Sequence, residues 1–300
     1  MALQKEIWLA EIVEGLFSDN SFAARSVDHS QFVNHKKVHV PNAGTPPAVV
    51  KNRSVFPATI GTMSDSDLDY SIDEYTTNPL RIPHAETVEL SYDKRNSIMA
   101  TSKSALQDAV YQDLVTRWIP SSPNTQLTLG SSVAAHLTGA TGNRKSFDKA
   151  TVLAVKKTMD AQGIPSTGRY ILVDSVMYNQ LLESLTDTEA NSLIAGADAE
   201  KGTIGMYMGF EFYMRSKVAK TTNVGVLKAF TAENAVTDCA AGIAWHDKSV
   251  SRAIGETELF EEEKSPAYYG DVLSFLVRAG GSYMRSDKKG VVMIYQGTPA

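Results

Sequence analysis

Between residues 92 and 118 the apolar positions recur at three- and four-residue steps: Ile98/Met99, Ala105/Leu106, Ala109/Val110, Leu114/Val115 and Trp118. That spacing lays one apolar stripe along a helix. No glycine or proline interrupts it before Pro120, so the helix is predicted to end there and to pass into a loop of Ser121, Ser122, Pro123 and Asn124. At about 1.5 Å per residue the rod is roughly 40 Å long, longer than a small domain is wide, and it sets the frame for the rest of the chain.

A shorter repeat of the same kind, Trp8/Leu9, Ile12/Val13 and Leu16/Phe17, predicts an amphipathic helix over residues 4–17 that Ser18, Asp19 and Asn20 terminate. A helix this short is marginal alone in water and must dock on something. Residues 18–42 are polar, with only Val38 and Val40 alternating about His39 as in a short strand, and they read as a flexible tether. Pro41, Pro46, Pro47, Pro57, Pro79 and Pro83 then punctuate β-type runs too short to build a core. This predicts a projecting β-hairpin whose returning limb, residues 69–81, follows a carboxylate-rich turn of Asp65, Asp67 and Asp69.

Beyond the long helix, 134–142 reads as a small-residue loop. A helix follows from Ser146 as N-cap, with Phe147, Ala150, Leu153/Ala154 and Met159 as its buried face and Gly163 and Pro165 as its stop. Residues 169–173 read as a buried strand, and Asp174 or Ser175 caps a helix carrying Val176, Leu181, Leu182 and Leu185. The pattern also gives strands at 210–214, 242–245, 257–264 and 291–295 and a short helix at 246–253, with Gly270, Gly280, Gly281 and Gly290 at bends. Helices and strands alternate irregularly, which is an α+β arrangement.

Composition narrows the classes. With 300 residues, 43% of them apolar, the chain can bury a sizeable core, and its net charge of −5 argues against general adhesion to nucleic acid. The single cysteine, Cys239, permits no intrachain disulfide. Glu6, Glu11 and Glu14 interrupt the opening segment, and no apolar run approaches the ~18 residues of a membrane span.

Catalytic templates fail one by one. The glycines Gly202, Gly205 and Gly209 match neither a dinucleotide fingerprint nor a phosphate loop. The stretch 130–134 lacks the final glycine of a nucleophile elbow. His35 and His39 lie on an extended segment, and His246 beside Asp247 reads as a capping histidine. The Asp65/Asp67/Asp69 spacing resembles a calcium loop, but Tyr70 stands where the glycine belongs and Thr76 where the bidentate Glu belongs, which leaves a solvated turn. No catalytic residue, metal site or cofactor is expected.

The order of parts is the informative feature. The run Gln162-Gly163-Ile164-Pro165-Ser166-Thr167-Gly168-Arg169-Tyr170-Ile171-Leu172-Val173 precedes Tyr178 and Leu181-Leu182. Gly205 and Gly209-Phe210-Glu211-Phe212 come next, then Ala244-Trp245-His246-Asp247-Lys248-Ser249-Val250, Tyr269-Gly270-Asp271 and the basic turn 285–290 before Val291-Val292. Together these resemble the major capsid protein of tailed bacteriophages, the Hong Kong 97-type fold.

The resemblance implies an N-terminal arm (1–41), an extended hairpin or E-loop (42–85), a peripheral domain with the spine helix (86–165 and 250–300) and an axial domain (166–249). It implies assembly of the chain with itself into pentamers and hexamers of an icosahedral head around double-stranded DNA, formed in the host cytoplasm and ending in the virion. Portal, a separate scaffolding protein and decoration proteins are the further partners it implies. The chain's start at Met1 suggests that no N-terminal scaffolding domain is cleaved away. An encapsulin-type compartment is the rival within the fold, and an α/β hydrolase the rival outside it. The expected subunit interface comprises Trp8, Leu9, Ile12, Val13, Leu16 and Phe17 of the arm, seated on another subunit. It also includes Lys51 and Arg53, paired across a boundary with Asp65, Asp67, Asp69, Asp73 and Glu74.

Overall fold

The computed structural model describes residues 22–33, 37–42, 49–54, 56–57, 66–83, 94–120, 124–198, 202–229 and 231–298. The expected helix over 4–17, with all six of its interface residues, and Asp65 lie outside them.

In chain order, a 3-10 turn at Phe22–Ala24 leads to β1 (Val27–Asp28), β2 (Lys37–Asn42), β3 (Ser66–Ser71), β4 (Asp73–Thr76) and β5 (Leu80–Pro83). The long helix α1 (Lys94–Trp118) precedes β6 (Thr125–Leu127), β7 (Ser132–Ala134), β8 (Asn143–Lys145), α2 (Lys149–Ala161) and β9 (Arg169–Asp174). Next are α3 (Ser175–Ser184), α4 (Asp187–Ala195), β10 (Gly205–Tyr207), β11 (Phe210–Arg215) and β12 (Ala219–Thr221). The chain closes with β13 (Cys239–His246), β14 (Val250–Ser265), β15 (Gly270–Tyr283) and β16 (Val291–Tyr295).

Two sheets carry the core, and α1 crosses both. The larger has the order β10-β11-β9-β13-β16-β6, with β12 on β13, and mixes parallel and antiparallel pairs. Its central strands are buried on both faces, and the period-2 alternation of a strand divides their side chains between two clusters. Ile171, Val173, Phe210, Phe212, Ala244, Val292 and Ile294 face α2, α3 and α4, where Val152, Val155, Met159, Met177 and Leu181 cover them. Tyr170, Leu172, Tyr213, Ile243, Trp245, Val291 and Met293 face the C-terminal end of α1, where Leu114, Val115 and Trp118 cover them. The smaller sheet, β1-β14-β15-β4 with β5 also on β15, packs Leu259, Leu273, Phe275 and Val277 on Met99, Leu106 and Val110 of the same helix.

Several expectations need correction. The buried stripe of α1 runs through Met99, Ser102, Leu106, Val110, Leu114 and Trp118, and Ala105 and Ala109 are exposed. Helix α2 begins later than expected: Asp148, not Ser146, is the N-cap, accepting the Thr151 N–H. The buried face therefore turns to Thr151, Val152, Val155 and Met159, leaving Ala150 and Leu153 exposed. The stretch 246–253 is a 3-10 turn followed by strand β14 rather than a helix. Gly280 and Gly281 mark no bend but sit inside β15. A Cβ at Gly281 would lie 2.4 Å from Leu114 Cδ1 and 2.5 Å from the Ser251 carbonyl oxygen, so glycine is what lets strand, strand and helix meet there.

The tether also needs correction between Phe22 and Phe32. Phe22 and Ala23 are buried in the cluster around Trp118 and Trp245, and β1 runs parallel to Ser251–Arg252. Trp245 Nε1 donates to the Arg25 carbonyl at 2.8 Å. This segment is fixed to its own subunit.

Candidate assembly surfaces

The projecting hairpin begins earlier than expected, since β2 pairs with β3 from Lys37↔Ser71 to Asn42↔Ser66. Asp67 and Asp69 therefore lie on a strand and not in a turn. Both β-branched residues of β2 are buried: Val38 and Val40 pack with Tyr70, Ile72 and Ala253. The polar face turns outward and pairs within itself, Lys37 Nζ to Asp69 Oδ2 at 3.0 Å and His39 Nδ1 to Asp67 Oδ2 at 2.9 Å. The Lys37 bond draws the Asp69 carboxyl below its ordinary value. Pairs this exposed add little to stability, because water and salt screen them.

The base of the hairpin is tied to α1. Arg117, half-buried near the helix end, donates to Asp113, to Asp73 and, at 3.0 Å, to the Ser71 carbonyl. Tyr75 OH donates to Asp113 at 2.5 Å, and its burial together with this bond raises the phenol's pKa. Glu74 accepts from Arg278 of β15 at 3.3 Å, and Arg278 also reaches Glu256. So Asp69, Asp73 and Glu74 each have a cation in their own chain, and Asp67 has the His39 ring. Lys51 and Arg53 are exposed and make no ion pair among the described residues.

The connection from β12 to β13 is pinned by buried polar contacts. Arg144 donates to the carbonyls of Val236 and Asp238, and the buried Asp238 carboxylate takes Lys228 Nζ at 2.6 Å and the Ala235 N–H at 2.7 Å. Burial works to raise the Asp238 pKa, but the Lys228 and Ala235 bonds outweigh it and lower it. Pinned this way, the loop holds Val224, Val226 and Val236 out in solvent. Lys228 is partly exposed and keeps its bond to the Glu233 carbonyl, so Asp238→Ala should cost about 1–2 kcal/mol in urea unfolding of the subunit, chiefly from the lost bonds to Lys228 and the Ala235 N–H. Because the folded pKa is depressed, the wild-type advantage should hold above the ordinary carboxylate range and fade as pH falls through the lowered value.

Sequence reasoning missed Phe22, the Lys228–Asp238 pair and the His136–Asp174 pair, in which Nε2 meets Oδ2 at 2.8 Å. None has a local pattern: Phe22 and the His136–Asp174 pair depend on residues far apart in the chain, and Lys228 meets Asp238 only through the path of the connection between β12 and β13. His246 is a capping histidine, its Nδ1 accepting the Lys248 N–H, as the sequence suggested. Among the described residues no cluster of His, Cys, Asp and Glu could hold a metal.

A long helix packed on two sheets, with a hairpin tied to its end, is the Hong Kong 97-like architecture of phage capsids. The phage capsid protein family model matches residues 89–296, well over half the chain, and the chain belongs to that family. In structure it is similar to the capsid of Ralstonia phage GP4, with a TM-score of 0.64 and 13% identity over 96% of this chain and 91% of that one. It is likewise similar to the capsid of Cyanophage P-SCSP1u, with a TM-score of 0.62 and 16% identity over 93% and 89%. A virus-like particle from Pyrococcus furiosus gives a TM-score of 0.57 and 9% identity over 97% and 99%. No curated protein matches in sequence.

Proposed function

We propose that this chain is the major capsid protein of a tailed double-stranded DNA bacteriophage, assembling with itself into the pentamers and hexamers of an icosahedral head. The family match over residues 89–296 carries the reading and favours it over an encapsulin-type compartment. The role is structural, and the fold supplies what it needs. The rigid unit of α1 and two sheets would form the wall, with the smaller sheet as peripheral domain and most of the larger as axial domain. Strands β6 and β16 join the larger sheet from segments whose sequence places them in the peripheral domain.

Of the arm (1–41) and the hairpin (42–85), the residues proposed to reach a neighbour are those that precede Phe22 and those that lie between β2 and β3, since the rest pairs within its own subunit. Trp8, Leu9, Ile12, Val13, Leu16 and Phe17 would supply the arm's apolar face. At about 1.5–3 kcal/mol per buried large side chain, such a face repays the ordering of a short helix. The net charge of −5 suits an inner wall along which packaged DNA slides rather than sticks. A portal, a separate scaffolding protein and decoration proteins complete the proposed partners.

Analytical sedimentation of the purified chain, with scaffold supplied, tests this reading. Particles in the megadalton range are expected. A species that stays monomeric at high concentration would sink it.

A further inference from the structure

A cavity of about 420 Å3 opens beside α1, between the loop at 136–138, the first turn of α3 and the chain at 216–220. That volume is in the range of sites for small organic ligands. Bonds between its walls hold it open. Gln112 Nε2 of α1 donates to the Val218 carbonyl at 2.9 Å, and Asn234 Nδ2 donates to the Thr138 carbonyl at 2.9 Å. Asp174, a carboxylate that lines the cavity, is engaged at both oxygens: Oδ2 meets His136 Nε2 at 2.8 Å and Oδ1 accepts the Met177 N–H at 2.7 Å.

The cations of the cavity are not matched in the same way. Lys217 is exposed and makes no ion pair among the described residues. Lys220 Nζ donates to two neutral oxygens, the Ala232 carbonyl and Asn234 Oδ1, and keeps a further N–H to give. Asp238, the carboxylate that acts on Lys220, already takes Lys228 at 2.6 Å. Burial, and then the neighbouring charges of Lys228 and Lys217, hold the Lys220 ammonium below its ordinary pKa although Asp238 works the other way. Crowded cations without a counter-ion, set in a concave wall, favour an anion. Beside them Leu137, Val176 and Ala219 give the cavity an apolar side.

We propose that this cavity is a binding site for a small phosphate monoester, whose phosphoryl oxygens accept from Lys217 and Lys220 while its organic group rests on Leu137, Val176 and Ala219. A phosphoryl group suits the site better than a carboxylate, because its three oxygens can take both ammonium groups and the Ser216 hydroxyl at once. Every group involved belongs to one subunit, so the site does not depend on the shell reading.

Calorimetric titration of the unassembled full-length chain with phenyl phosphate, and in parallel with inorganic phosphate at the same ionic strength, tests the site. Both should bind saturably, phenyl phosphate the more tightly because it adds the apolar contact. Lys217→Glu changes an exposed side chain with no ion pair among the described residues, and it should weaken phenyl phosphate about tenfold or more, as the loss of one charge-assisted bond does. Val176→Ser should narrow the preference for phenyl phosphate over inorganic phosphate. Lys51→Glu makes the same charge change at an exposed lysine outside the cavity and should leave both affinities as they are. No saturable binding, equal losses from Lys217→Glu and Lys51→Glu, or equal affinity for the two phosphates would overturn the proposal.

Discussion

Replacing Phe22 with alanine should destabilise the unassembled subunit by about 3–4 kcal/mol, the cost typical of removing a buried aromatic ring. Only 3% of Phe22 is exposed, and its ring meets Tyr111, Trp118 and Trp245 edge-on, with centroids 5.5–6.1 Å apart. The Arg215 guanidinium lies over the same ring. Alanine would leave a void between the end of α1 and β13, a central strand of the larger sheet. Urea unfolding of the free subunit reads this directly. An unchanged midpoint would mean that the segment from Phe22 onward is a detached tether after all, whereas a drop confirms it as part of the wall.

Gly281→Ala should be nearly as damaging, about 3 kcal/mol, at the upper end of what overpacking costs. The added methyl would press on the Ser251 carbonyl, which belongs to the neighbouring strand and cannot rotate away, and on Leu114 of α1. Strand, sheet and helix would have to part together. Gly255→Ala on β14 is the matched control, because the nearest atom there is Arg278 Cβ at 3.3 Å. Thermal melting of the two variants side by side should show a large drop for the first and a small one for the second. Equal melting would contradict the packing described.

The elements that were legible in the sequence are those whose burial is periodic and local. The α1 stripe repeats for seven turns, so a phase error at Ala105 and Ala109 did not hide the helix. Strands β9 and β16 are short apolar runs bounded by turn residues, and they fell where expected. Part of the face of α2 was misplaced for a local reason: Phe147 and Met159 are buried as expected, but between them the apolar residues Ala150, Val152, Leu153, Ala154 and Val155 lie almost all round the helix, so their spacing did not single out Val152 and Val155 as the buried ones. Strand β15 was hidden because glycines usually signal bends, and only a close approach of backbone from elsewhere explains a pair of them in mid-strand. Phe22 was missed because a lone aromatic in a polar run has no periodicity, and its partners lie about a hundred and two hundred residues away. The assembly surface was legible only as an inventory of charges; which carboxylates were already engaged depended on the register of β2 with β3 and on the end of α1.

The account stands on the claim that this chain closes into shells, and electron cryomicroscopy of purified, assembled protein addresses it most directly. The expected result is closed icosahedral particles of five- and six-fold capsomers, with density for the hairpin tip lying on an adjacent subunit. Discrete monomers or small open oligomers, under every condition of concentration and with scaffold present, would contradict it.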